Sequence, residues 1–183
     1  KAWKTAGKQV IFVNCSGSAI ALLPETETCD AIVQAWYPGQ EGGTAVADVL
    51  FGDYNPSGKL PITFYKSSYQ LPDYEDYSMK GRTYRYFTDA LFPFGFGLSY
   101  TDFMIKSAKV EKKGTTSTDW TLTAEVANTG MRDGSEIVQL YIRILQDPDG
   151  PLKSLRGFQR IDVKAGQAAT AVIEINEKSF ETS

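Results

Sequence analysis

Apolar and polar positions change their rhythm twice along this chain. QVIFVN at 9–14 is a near-continuous apolar run, the pattern of a strand covered on both faces. SGSAIALLPETE then reads as a turn and a short crossover, and AIVQAW at 31–36 as a second strand. Two strands joined by a crossover of that length predict a parallel βαβ unit. Tyr-Pro-Gly at 37–39 marks a turn, and the next residues predict a helix with Glu41 near its start, where a carboxylate suits the helix dipole. Ala45, Val46, Val49 and Leu50 fall on one face of that helix and Asp48 outside it, with Gly52 as the C-terminal cap. YNPSGKLPITF reads as a turn followed by an extended segment, where Pro61 points to a sheet edge.

From about residue 102 the pattern is β only. MIKSAKVEKK, DWTLTAEVANTG, SEIVQLYIRI, SLRGFQRIDV and ATAVIEIN are separated by turn residues. Trp120, Leu122, Ala124 and Val126 alternate with Thr121, Thr123 and Glu125, and Val138, Leu140 and Ile142 with Ile137, Gln139 and Tyr141. Short strands at roughly ten-residue spacing predict an immunoglobulin-like sandwich, for which about seven strands are expected and about five are present. Between the two patterns, residues 65–100 hold 11 of the 23 aromatic residues. A long segment without regular structure is functional or a packing element. Its rings suit either stacking on the apolar faces of sugars or packing between domains.

Net charge is −3 over 183 residues, so nothing favours nucleic acid or an anionic membrane surface. No apolar run in these residues approaches a membrane span, and none of them reads as a signal peptide, which says nothing about the location of a longer parent chain. The absence of histidine removes Ser-His-Asp and Cys-His nucleophilic schemes and His-containing metal sites. Cys15 follows one predicted strand and Cys29 precedes the next, so they sit about 17–20 Å apart, beyond bridging distance. Both are expected as small buried hydrophobes. SGS at 16–18 and PGQEGG before the helix match neither dinucleotide nor P-loop spacing. KAWKTAGK reads as the end of a longer amphipathic helix and FETS lacks a capping signal, so a fragment is expected at both ends. A sandwich short of strands is also expected to be marginally stable.

FPFGFGLSYTDF at 92–103 resembles the junction between the α/β sandwich domain and the fibronectin type III-like domain of family 3 glycoside hydrolases. AWYPGQEGGTAVADVLFGDYNPSGKLPITF, GRTYRYF and SLRGFQRIDVKAGQ resemble other blocks of that family, in its order, so the resemblance covers roughly residues 9–175. It implies the end of an α/β sandwich domain over 1–64, an aromatic-rich linker and junction over 65–101, and an incomplete fibronectin type III-like domain over 102–183. The aromatic–glycine alternation is then a structural block, with glycines for unusual φ and close approach and rings buried against the neighbouring domains. The lesser reading gives Phe92, Phe94 or Phe96 to sugar contact.

The resemblance implies a retaining exo-glycosidase acting on plant polysaccharide fragments, with two carboxylates roughly 5–5.5 Å apart. The YSMKGRTYRYF wording looks most like the β-xylosidase branch, with β-glucosidase as the alternative. The family's nucleophilic Asp lies on an N-terminal (β/α)8 barrel and its acid/base Glu upstream of VIFVN, so both precede Lys1 and no catalytic residue is assigned here. The implied partners are an oligosaccharide bound through the preceding domain and that barrel, with no nucleic acid and no membrane. No metal or organic cofactor is implied. Export to the periplasm or secretion is expected from the family.

The remaining carboxylates read mainly as structural. Glu41 is expected to bond backbone N–H groups at the helix start, Asp48 to pair locally, and Asp53 to shape a turn. Asp73, Glu75 and Asp76 form an acidic loop. Arg82, Tyr84, Arg85 and Tyr86 are expected to contact the rest of the enzyme, and Arg82 and Tyr84 are the candidate substrate-binding residues. A non-catalytic carbohydrate-binding module and an adhesion domain are the other classes weighed. Core-like strand alternation argues against the first and the α/β half against the second.

Overall fold

A computed structural model of the chain describes residues 2–114 and 118–180. They fall into two compact units. One comprises Lys1–Tyr54 with Leu60–Phe96, and the other Asn55–Lys59 with Gly97–Ser183. No helix among the described residues is long and apolar enough to cross a membrane.

In the first unit, β1 (Ile11–Asn14) and β2 (Ala31–Gln34) pair in parallel, with Ile11 opposite Ala31 and Asn14 opposite Gln34. The short α1 (Ala2–Thr5) precedes them, and α2 (Leu23–Thr28) makes the crossover, with Pro24 in its first turn. Proline is favourable there because the first N–H groups lack intrahelical partners. Asp30 fixes the entry to β2. It forms an ion pair with Lys4 and accepts from the Val10 N–H at 2.8 Å. Both bonds hold its carboxyl below the usual carboxylate range, the Lys4 bond first.

α3 (Gly42–Phe51) ends at Gly52, whose φ of 85° is left-handed, as the sequence predicts. Its buried side differs from the expected one. Ala45 and Leu50 are exposed and Asp48 is half-buried. Phe51 is 85% exposed. The cysteine expectation is also corrected. Both thiols are free, but neither is buried: Cys15, just past the end of β1, is exposed and Cys29, at the C-terminus of α2, is half-buried.

The extended segment after Pro61 finds an unforeseen mate. Phe64 bridges antiparallel to Phe92, and the ladder continues with Leu60 N–H to Phe96 O at 2.8 Å and Gly95 N–H to Leu60 O at 2.7 Å. Phe64, 1% exposed, meets Phe92 and Trp36 edge-on at 6.4 and 6.2 Å between ring centroids. The short α4 (Thr83–Tyr86) lies between the two arms of this ladder in sequence.

The second unit holds the five predicted strands. β3 (Phe103–Lys112), β4 (Trp120–Asn128) and β7 (Ala168–Ile175) form one antiparallel sheet, in the order β3-β4-β7. β5 (Gly134–Ile142) and β6 (Ser154–Val163) form the other. Leu122, Ala124 and Val126 of β4, Val138 of β5, Ile161 and Val163 of β6, and Ala171, Ile173 and Ile175 of β7 make the core, with Leu140 and Ile142 packed on it. In β4 the inward set is the apolar one of the alternation, and in β5 the structure selects Val138, Leu140 and Ile142 over Ile137, Gln139 and Tyr141.

Asn55–Lys59 belongs to this unit through side-chain bonds. The Asn55 carbonyl oxygen accepts from Ser99 Oγ at 2.9 Å and the Tyr100 N–H at 2.8 Å, while its amide donates to Asp133 O at 3.0 Å. Lys59 pairs with Glu136 at 2.9 Å, both largely buried, and donates to Gly97 O at 2.9 Å.

Candidate functional site

Two clusters in the first unit carry concentrated polar or aromatic chemistry. One lies at the carboxyl ends of β1 and β2, where open α/β sheets commonly bind ligands. The apolar run of β1 ends in Asn14, 6% exposed, whose amide donates to Ser16 Oγ at 2.8 Å and Gln34 Oε1 at 2.5 Å. Gln34 donates back to Ser16 O at 3.2 Å. Trp36, two residues on, has a φ of 56°, a conformation an L side chain rarely holds without surrounding support. A Cβ on Gly17 would collide with the Tyr37 ring, so the ring lies directly against that backbone. The sequence alone reads SGS as a turn and, for ligands, weighs it as a phosphate loop. The usable signal was the pair of amides, Asn14 and Gln34, closing two apolar strands.

The other cluster is the loop that runs from Ser67 to α4. Arg82 sits at the N-terminus of α4 and folds its guanidinium back onto the loop, donating to Ser78 O at 3.1 Å, Asp73 O at 3.2 Å and Asp76 O at 2.5 Å. The acidic residues complete the turns. Asp73 accepts from the Glu75 N–H at 3.2 Å and Asp76 from the Ser78 N–H at 2.8 Å. The bonds to Ser78 hold the Asp76 carboxyl below its ordinary value. The loop base is tied by Gln70, which accepts from the Lys66 N–H at 2.7 Å and donates to Asp89 O at 3.1 Å, and by a Lys66–Asp89 ion pair.

Tyr84 stacks on Phe94, with 4.1 Å between centroids and 17° between planes. Thr83, between Arg82 and Tyr84, has a φ of 52°, and its N–H donates to Tyr65 Oη at 2.9 Å. Tyr65 in turn packs on Phe87 at 4.9 Å. The guanidinium of Arg85 lies over the Tyr86 ring at 5.9 Å, and its buried Nε lacks a hydrogen-bond partner. The structure thus gives Arg82 to loop carbonyls and Tyr84 to an aromatic stack. Phe92 and Phe96 also stack, at 5.5 Å and 21°.

Glu41 stands at the N-cap of α3 as expected, but its side chain makes no cap bond to the helix backbone. It accepts from Thr44 Oγ1 at 3.3 Å instead. Its backbone, with φ of −88° and ψ of 15°, is not the extended form that aims a capping side chain at the N–H groups. Glu41, Asp73 and Asp76 each serve local structure, an arrangement unlike a nucleophile and acid poised across a glycosidic bond.

These elements define an α/β unit and a fibronectin-like β-sandwich unit, and the comparisons agree. Residues 1–100 match the glycosyl hydrolase family 3 C-terminal domain, and residues 136–182 match the fibronectin type III-like domain. The chain belongs to glycosyl hydrolase family 3. It is 72% identical over 181 residues to a xylan 1,4-beta-xylosidase of Xylanibacter ruminicola, an alignment covering 99% of this chain and 21% of that protein. A periplasmic beta-glucosidase of Salmonella typhimurium is 41% identical over 98% of this chain and 26% of its own length. Among solved structures, beta-glucosidase 3B from Thermotoga neapolitana in complex with glucose matches with a TM-score of 0.84 at 31% identity, over 97% of this chain and 27% of that one. A beta-glucosidase from Erythrobacter marinus matches with a TM-score of 0.82 at 38% identity, over 96% and 24%. The chain therefore spans about a fifth to a quarter of the length of these relatives.

Proposed function

We propose that this chain is the C-terminal portion of a retaining, exo-acting glycosidase that releases β-xylosyl units from plant polysaccharide fragments. The observation that carries the reading is the 72% identity to a xylan 1,4-beta-xylosidase over nearly the whole chain. In the proposed enzyme one carboxylate attacks the anomeric carbon while a carboxylic acid protonates the leaving oxygen. Water then releases the glycosyl-enzyme, with the acid now acting as base. Both groups are proposed to lie in sequence preceding residue 1, on and beside a (β/α)8 barrel against which the present chain packs. This chain supplies scaffold. It comprises the rear of the α/β domain over 1–64, the aromatic junction over 65–101 and the fibronectin-like domain over 102–183.

Arg82 and Tyr84 are proposed to border the substrate, Arg82 by fixing the loop carbonyls and Tyr84 through the face opposite Phe94. A periplasmic or secreted location is proposed with support from the periplasmic relative. β-Glucosidase activity is the second reading, favoured by the solved glucosidases of the same fold. A panel of aryl β-xyloside, β-glucoside and α-arabinofuranoside, given to the sequence extended to the length of its relatives, separates the two. The reading expects kcat/KM highest on the xyloside, and a glucoside preference overturns it.

A further inference from the structure

The loop between Ser67 and Arg82 combines rigidity with exposed aromatic rings. Tyr69, Tyr74 and Tyr77 are 97%, 90% and 90% exposed. Surface aromatics are ordinary when scattered, but these three fall within nine residues of a loop pinned throughout. Arg82 holds three of its carbonyls, two Asp side chains close its turns, and Gln70 with the Lys66–Asp89 pair ties its base. A loop ordered before it meets anything forfeits little conformational entropy on binding. Tyrosine itself offers a large, stiff contact surface with a polar tip.

We propose that this loop is a preformed docking knob for the remainder of the longer chain, entering a groove whose rim is basic. The inference rests on the reading of this sequence as the C-terminal portion of a longer glycosidase. Shape separates a protein groove from a sugar. Pockets that take a small ligand are concave and cover most of it, whereas rings at least 90% exposed stand out from the surface. Tyrosines in that position act as anchors that fill a partner's pockets. Charge sets the partner's sign. Asp73, Glu75 and Asp76 lie between and beside the tyrosines, while the nearby guanidinium of Arg82 is directed at backbone carbonyls. The occupant is assigned by length, because a relative 72% identical over this chain carries almost four times as much again outside the matched region.

Hydroxyl-radical footprinting tests the proposal, since it reads tyrosine side chains directly. In the enzyme extended to the length of its relatives, Tyr74 and Tyr77 are expected to oxidise at least about five-fold more slowly than in the 183-residue chain, as for rings buried at the centre of an interface. Equal rates in both proteins overturn the proposal. Protection that appears only on adding xylo-oligosaccharide also overturns it and makes the loop a glycan surface. The double substitution Tyr74→Ala/Tyr77→Ala gives an independent reading. It should leave the melting of the 183-residue chain unchanged and lower that of the extended enzyme, and a drop of equal size in both counts against the knob. Aryl-glycoside turnover on the same samples reports the catalytic assignment separately, so either idea can fail alone.

Discussion

Asn128, 1% exposed, closes the turn between β4 and β5 with a complete set of bonds. Its carbonyl oxygen accepts from Thr101 Oγ1 at 2.6 Å and the Gly130 N–H at 3.1 Å, and its amide donates to Arg132 O at 2.7 Å and Val163 O at 3.0 Å. Truncation strands several buried groups at once, so Asn128→Ala is expected to cost on the order of 3 kcal/mol, read as a fall in the urea midpoint. Asp133 works nearby at the surface. It accepts from Lys164 Nζ at 2.8 Å and the Ala165 N–H at 2.9 Å, bonds that lower its pKa and raise that of Lys164. A depressed carboxyl contributes stability above its unfolded value of about 3.9 and loses it as pH falls through the folded one. The raised Lys164 contributes below about 10.4 and loses that as pH rises through its folded value. Asp133→Asn should therefore lower the melting temperature across the middle of the pH range and change little at either extreme, where the native pair has already lost its contribution. Such residues were hard to read in advance. ANTG looks like any turn, and nothing local shows that Asn128 reaches Val163, 35 positions away.

Elements show why alternation served better than helix periodicity. A strand's two faces are set by sequence parity, and the inward residues of β4 were legible for that reason, whereas in β5 parity gave two sets without saying which faces the core. The buried side of α3 depends on which neighbours lie beside it, which a wheel of Ala45, Val46, Val49 and Leu50 does not reveal. Neither does a local pattern reveal that LPITF pairs with FPFGF, because Phe64 and Phe92 meet across 28 positions. That pairing accounts for much of the aromatic–glycine alternation. Gly95 has a φ of 81° where the ladder meets Leu60, and a Cβ on Gly97 would drive into the Gly58 carbonyl oxygen. Gly97→Ala is expected to destabilise by about 1–3 kcal/mol, since backbone must shift to admit the methyl. Thermal melts should place Gly43→Ala, with open space around its Cβ, well above Gly97→Ala. The reverse ranking would contradict the close-approach account.

At the scale of the whole molecule, family and architecture were legible because four sequence blocks fall in order along nearly the full chain. The candidate site was less so, since Arg82 and Tyr84 bind local groups that no motif announces. What unites the two units is service to chemistry proposed to lie elsewhere. The carboxylates at 41, 73 and 76 hold turns and a hydroxyl, and Tyr84 stacks on Phe94 and Phe92 on Phe96. The most direct measurement gives aryl β-xyloside to the purified 183-residue chain and, in parallel, to the same sequence extended to the length of its relatives. The account predicts no turnover above background from the former and robust turnover from the latter. Hydrolysis by the 183-residue chain alone would contradict it and would place a working carboxylate pair among Glu41, Asp73, Glu75 and Asp76.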